Sequence, residues 1–231
     1  MKASIAPARK FLGSLLPALA LVLLIRTTVV ANYYIPSGSM EDTLLVGDHF
    51  LANRFVYGAA IDLPGTHINL LRLPGLRDPA PGDIVVFHSP VEDLTLIKRC
   101  VAGPGQTVQI VDKKLYIDGA PFTEPTTAKY EDPRRYPATK SRRDNFGPYR
   151  VPPDHFFMMG DNRDNSLDSR FIGPVHRRLI RGQAMLIYWS WAPDPGGPAY
   201  TGPASIPRVA LSYLGRLPGR IRYQRPGNLT L

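Results

Sequence analysis

A serine acts as a nucleophile only when a neighbouring group takes its proton, so a candidate serine has to be weighed together with a candidate base. The pair that stands out is Ser39, in Ile35-Pro36-Ser37-Gly38-Ser39-Met40, and Lys98, in the apolar run Leu94-Thr95-Leu96-Ile97-Lys98. Pro36 and Gly38 interrupt regular structure and let the backbone turn tightly, which sets the Ser39 hydroxyl and N–H at a cleft. The Ser39 N–H and the Ser37 hydroxyl are then candidate donors to a developing oxyanion, a contribution of ~3 kcal/mol per donor in comparable sites. Alone, Ser37-Gly38-Ser39 reads more readily as a turn. Lys98 changes the balance: an exposed lysine is protonated, but burial disfavours the charged form, and depressing the pKa by ~3 costs ~4 kcal/mol. Strand alternation puts Leu96 and Cys100 on the face of Lys98, and Ile97, Arg99 and Val101 on the other. Taken singly, a solvated edge-strand lysine is the commoner fate.

Other chemistries fit less well. His49, His67, His88, His155 and His176 could supply a triad base, and Asp48 adjoins His49, but none sits in a setting that demands catalysis. No Gly-x-Ser-x-Gly elbow surrounds Ser39. No His or Cys pair has a recognised metal-ligand spacing, so neither metal nor cofactor is expected. The dense polar loop Gly160-Asp161-Asn162-Arg163-Asp164-Asn165-Ser166-Leu167-Asp168-Ser169-Arg170 suggests calcium at first sight. Counted from Asp161, Arg163 at the third position and the missing sixth-position glycine argue against that. The better reading is a buried network supporting a site, with Ser166 orienting the lysine amine and Asp168 paired with Arg170.

The elements that must position these groups follow from the rest of the chain. Its 231 residues, 44% hydrophobic, suffice for one large domain or two small ones. The net charge of +9 favours anionic lipid headgroups as partners. Nucleic acid is the weaker candidate, since no zinc spacing, aromatic RNA-binding signature or basic recognition helix accompanies the charge. The single cysteine, Cys100, excludes an internal disulfide. Lys2, Arg9 and Lys10 precede an uncharged run from Phe11 to Ile25. As a helix this run covers ~22 Å, or ~31 Å if continued to Ala31, against a hydrocarbon core of ~30 Å. The spacing predicts a cytoplasmic tail over 1–10, one transmembrane helix over 11–31, and everything after it across the membrane. Asn32-Tyr33-Tyr34 is a poor match to a cleavage site, which weakens the alternative of a cleaved signal peptide.

Beyond the anchor, short β-branched runs punctuated by Pro and Gly predict a mostly β, antiparallel sheet or barrel-like catalytic domain over 32–120 and 154–215. Strands are expected at 83–87, 95–101, 108–111, 114–117 and 185–189, with a hairpin turn at Asp118-Gly119. Residues 121–153 read as a polar cap insertion. Residues 58–81 read as a second insertion, resting on the bilayer or buried as an ordinary loop. No amphipathic helix of three or more turns is expected outside the anchor. The chain from Ala192 should wrap the domain or fray, with a tail over 216–231.

In their order, Pro-Ser-Gly-Ser-Met, then Gly82-Asp83-Ile84-Val85-Val86-Phe87 leading to Ile97-Lys98-Arg99, then the Gly160 to Arg170 loop, these motifs resemble bacterial signal peptidase I from about residue 26 to 191. The resemblance implies a largely antiparallel β domain on a membrane anchor, with Ser39 as nucleophile, Lys98 as general base and Ser37 as oxyanion donor. It also implies that Ser166 positions the lysine, Met40 packs beside the site, and Asp161, Asp168 and Arg170 keep the loop intact. Its activity would be removal of signal peptides from secretory preproteins after a small residue, through an acyl-enzyme, at the outer face of the cytoplasmic membrane. Membrane lipids and the secretion translocon would be further partners. One departure is plain: Met40-Glu41-Asp42-Thr43-Leu44 stands where the family usually has Met-x-Pro-Thr-Leu, so the turn loses a proline, with modest backbone consequences expected and substrate preference most exposed to change. The alternatives are a conjugation-associated, pilin-maturing peptidase of the same superfamily, a self-cleaving Ser-Lys regulator, which would need a DNA-binding domain not evident here, and a non-catalytic membrane-anchored β scaffold.

Overall fold

The computed structural model describes residues 29–62, 69–194 and 205–227, together with positions 13, 15, 17–19, 21, 22, 196 and 202. The expected membrane segment therefore lies largely outside the described residues. Its seven described positions before residue 29 are helical, whereas Val30 and Ala31 already belong to the first strand. Among the described residues no helix is long and apolar enough to cross a membrane.

The described residues form thirteen strands: β1 (Val30–Tyr34), β2 (Asp48–Asn53), β3 (Ala60–Asp62), β4 (Asn69–Arg72), β5 (Ile84–His88), β6 (Thr95–Ala102), β7 (Thr107–Val111), β8 (Lys114–Ile117), β9 (Ala120–Pro121), β10 (Phe146–Arg150), β11 (His155–Met159), β12 (Val175–His176) and β13 (Ile180–Ser190). A seven-stranded antiparallel sheet runs β1-β2-β13-β5-β6-β11-β12, open at both ends rather than closed as a barrel. A four-stranded sheet, β10-β7-β8-β9, stands beside it, and β3-β4 is a separate hairpin. The β core expected from the short apolar runs is thus present.

Alternation along the central strands makes the cores. On β5, Ile84 and Val86 enter a cluster with Ile35, Met40, Leu44, Phe50 and Ile187, while Val85 and Phe87 enter another with Tyr57, Cys100, Phe156, Met158 and Ile180. On β6, Leu96 and Cys100 pack on the second cluster and Ile97 on the first, as a two-residue period requires. A third cluster, with Val101, Val108, Ile110, Leu115 and Phe157, joins the two larger sheets.

Two insertions are more integrated than their composition suggests. The 121–153 stretch contributes β10, which pairs with β7. The β3-β4 hairpin is tied down by Arg72, whose guanidinium donates to the carbonyls of Tyr57, Arg177 and Ile180. The Asp118-Gly119 turn has positive φ at both residues (52° and 81°), the conformation a two-residue antiparallel turn favours. The expectation that no further helix of three turns exists is overturned by α2 (Ile206–Arg220), which follows the four-residue α1 (Ser169–Ile172). Pro207 lies in its first turn, where a missing N–H costs nothing, and Pro218 near its end, so proline content misleads as a helix breaker here.

Candidate active site

Ser39 sits in a 3-10 turn, Gly38–Met40, that is pinned by Met40, fully buried in the first core cluster. The turn continues through hydrogen bonds from Thr43 N–H and Leu44 N–H to Met40 O (3.1 and 2.7 Å). Between them Asp42 has φ +73°, a conformation proline, fixed near −65°, cannot adopt. The loss of proline here is therefore more than a modest backbone change: this turn is built on a left-handed residue.

Lys98 lies on β6 opposite Val85 and is only 2% exposed. Its Nζ is 2.6 Å from Ser39 Oγ, across 59 residues of sequence. Burial brings its pKa down to about 8, helped by the Arg170 guanidinium and opposed by the Asp168 and Asp161 carboxylates. A cleft of about 370 Å³ opens on the pair, lined by Tyr33 to Ser37, Ser39, Phe50, Val86 and Leu94 to Lys98. Of these, Ser37 is exposed, extended, and makes no capping bond from its side chain. A larger concavity, about 720 Å³ over β8 and the cap, shares no lining residue with this cleft, so size alone does not locate the chemistry.

The 160–170 loop is brought beside the pair. Asn162 N–H donates to Ser39 O at 3.1 Å, and Gly160 packs so closely that a Cβ there would overlap both Ser39 O and Ser166 Oγ. Asp161, completely buried, accepts from Arg99 Nε (2.8 Å) and Nη2 (2.6 Å) and from the Thr43 hydroxyl. Asp168 accepts from Gly160 N–H (3.0 Å) and pairs in bidentate fashion with Arg170 (2.8 Å each). Burial works against its charge, but Arg170 and the Gly160 N–H hold it ionised below the usual carboxylate range. Arg170 also donates to Arg163 O and Arg143 O, and caps the network on the far side.

The expected bond from Ser166 to the lysine amine is not formed: Ser166 Oγ is buried against Gly160 and faces the Asp168 carboxylate, which it helps to keep ionised. The Lys98 amine is hydrogen-bonded to Ser39, and Gly160 packs against both Ser39 O and Ser166 Oγ. Sequence reasoning also missed Arg99, Thr43 and the cap. Thr127 Oγ1 lies 2.6 Å from Thr43 Oγ1, Lys129 N–H donates to Asp161 O at 2.7 Å, and Glu124 pairs with Arg163. The only forewarning was that Arg99, beside Lys98 on a strand, needs a partner if buried. Nothing marks Thr127.

A buried lysine amine touching a serine hydroxyl, flanked by donors and fixed from behind by two buried carboxylate–arginine pairs, is an arrangement suited to acyl transfer by a serine hydrolase. A profile of the family described as signal peptidase, peptidase S26, matches residues 8–189. Signal peptidase I of Pseudomonas aeruginosa is 37% identical over 212 residues, covering 79% of this chain and 72% of its own. Signal peptidase I of Aquifex aeolicus is 29% identical over 92% of this chain and 97% of its own. The crystal structure of a signal peptidase I from Enterococcus faecalis V583 matches 46% of this chain and 97% of its own, at 30% identity and a TM-score of 0.39. The chain belongs to the signal peptidase S26 family and is a hydrolase of the serine endopeptidase class.

Proposed function

We propose that this protein removes signal peptides from secretory preproteins, cutting after a small residue, with Ser39 as nucleophile and Lys98 as general base. The observation that carries the reading is the 2.6 Å contact between Lys98 Nζ and Ser39 Oγ in a site where the amine is 2% exposed and its pKa is about 8. With the amine neutral, Ser39 Oγ–H donates to Nζ. The proton passes to Lys98 as Oγ attacks the scissile carbonyl, and the oxyanion takes hydrogen bonds from Ser39 N–H and the Ser37 hydroxyl. The lysine ammonium then protonates the leaving amine, releasing the mature chain. A water deprotonated by the same amine hydrolyses the acyl ester, freeing the signal peptide and restoring Ser39. Asp161 and Asp168 act by holding the turn and the loop. The apolar segment from residue 11, ending just before β1, would hold the enzyme in the membrane that also holds the substrate's apolar segment, which raises the effective concentration of one for the other. Anionic lipids and the translocon are the partners such an address supplies, with the catalytic domain on the outer face of the cytoplasmic membrane.

The test is incubation of the detergent-solubilised full chain with a preprotein bearing an Ala-x-Ala site. Wild type should release an N-terminal fragment and Ser39→Ala should not. Equal cleavage by both would remove Ser39 from the mechanism.

A further inference from the structure

The family match ends at residue 189, and the chain beyond it returns to the turn that carries Ser39. After α2 the backbone runs along the end of β13: Trp191 and Ile221 form an antiparallel bridge, Arg222 N–H donates to Ser190 O (3.0 Å) and Gly227 N–H to Ile187 O (2.8 Å). From this position two guanidinium groups reach the loop between the Ser39 turn and β2. Arg222 Nη1 donates to Val46 O at 3.0 Å. Arg225 Nη2 donates to Thr43 O at 2.9 Å and to the Asp48 carboxylate.

Both of those acceptors matter. Asp48 is completely buried, and its oxygens also receive Ser190 Oγ (2.6 Å) and Leu45 N–H (2.8 Å). It ties β2, β13 and the loop together, with Arg225 as its hydrogen-bonded counter-ion and Arg222 further off at 3.9 Å. Thr43 is held on three sides: its carbonyl by Arg225, its N–H by Met40 O, and its hydroxyl by Asp161. The turn bearing Ser39 is thus gripped by the 160–170 loop on one side and by the C-terminal segment on the other.

We propose that Arg225 is a positioning residue for the nucleophile, fixing the exit of the Met40 to Leu44 turn so that Ser39 Oγ stays in reach of Lys98. The proposal rests on the reading of Ser39 as nucleophile. Removing the guanidinium leaves Thr43 O without this donor and Asp48 without its hydrogen-bonded counter-ion, and the turn relaxes away from Lys98.

The experiment uses the full chain in detergent, a fluorogenic Ala-x-Ala peptide, and a serine-reactive acylating probe that reports labelling of Ser39. Arg225→Ala is expected to lower kcat by about tenfold to a hundredfold with KM within about twofold, and to slow labelling by the same factor. Guanidinium ion added to this variant should restore part of the rate, as should Arg225→Lys. Arg216→Ala, whose guanidinium among the described residues contacts Asp194 and Gly196 O, away from the Ser39 turn, should match wild type. Wild-type kcat in Arg225→Ala overturns the proposal. So does a loss without guanidinium rescue that thermal unfolding accounts for by the unfolded fraction. Ser39→Ala separates the two readings: if it still cleaves, the nucleophile assignment fails, whereas an inactive Ser39→Ala beside a fully active Arg225→Ala refutes the positioning role alone.

Discussion

Lowering the pH through 8 should disarm the base, and the size of the effect follows from where Lys98 is buried. The fall of its pKa from 10.5 to about 8 corresponds to ~3 kcal/mol by which the folded protein resists protonating this amine. Below the midpoint, the neutral fraction falls about tenfold per pH step, so about a tenth of the enzyme is competent at pH 7. The profile of kcat/KM for the Ala-x-Ala peptide should show an acidic limb of slope one with its midpoint near 8. Stability is linked to the same titration. Because the folded pKa is the lower one, the unfolded chain binds more protons at this amine between about pH 8 and 10.5, and its contribution to stability rises with pH across that window. The Cys100 thiol works the other way: burial pushes its pKa from 9.0 up to about 12, so above about pH 9 the two slopes oppose each other and the net rise is confined to about pH 8 to 9. Lys98→Met should abolish cleavage, remove the rise, and be more stable than wild type at pH 7 by up to ~3 kcal/mol in urea unfolding. Lys98→Arg, which cannot deprotonate, should be inactive. A limb centred near 6.5, a flat profile, or turnover by Lys98→Arg would refute the reasoning.

Substitutions at three further positions probe the scaffold. Asp161→Asn removes the buried partner of Arg99 and should destabilise the fold by ~3–5 kcal/mol in denaturant unfolding, with activity lost in step. Gly160→Ala forces a methyl group against Ser39 O and Ser166 Oγ, and should cost about a hundredfold in kcat at a smaller cost in melting temperature. Asp42→Pro, although it restores the residue usual in the family, should lower both stability and activity because φ is +73°, while Asp42→Gly should hold or gain up to ~1 kcal/mol.

The central strands were legible because a two-residue period on β5 and β6 decides which side chains enter which core, and that period is written in the residues. Ser39 and Lys98 were legible for a related reason: each is an odd residue in its local pattern, a serine in a broken turn and a lysine in an apolar strand. β1 and β2 escaped because Val30–Tyr34 continues the apolar run of the anchor, and Asp48–Asn53 mixes buried Asp48 with half-buried His49. The partner of Asp161 escaped because Arg99 is 62 residues away, and ion pairs of this range leave no local signature. Ser166 shows the opposite error: a serine in the right motif was assigned a hydrogen bond to the lysine amine, whereas it sits against Gly160 and faces Asp168. α2 was hidden by its prolines, which sit where a helix tolerates them or close to its end.

The turn at Thr43 also sets a clock. Its grip is assembled from Asp161, 118 residues downstream, and Arg225, 182 residues downstream. Loop closures of that length are slow and come late, since their entropy is spent before any contact repays it. A growing chain therefore exposes Ser39 to its surroundings long before the turn is locked. During synthesis the chain passes through a stage in which Ser39 is present but the turn that sets it against Lys98 is not yet locked. On the reading of Ser39 as nucleophile, that interval would spare the chain its own cleavage until Arg225 docks.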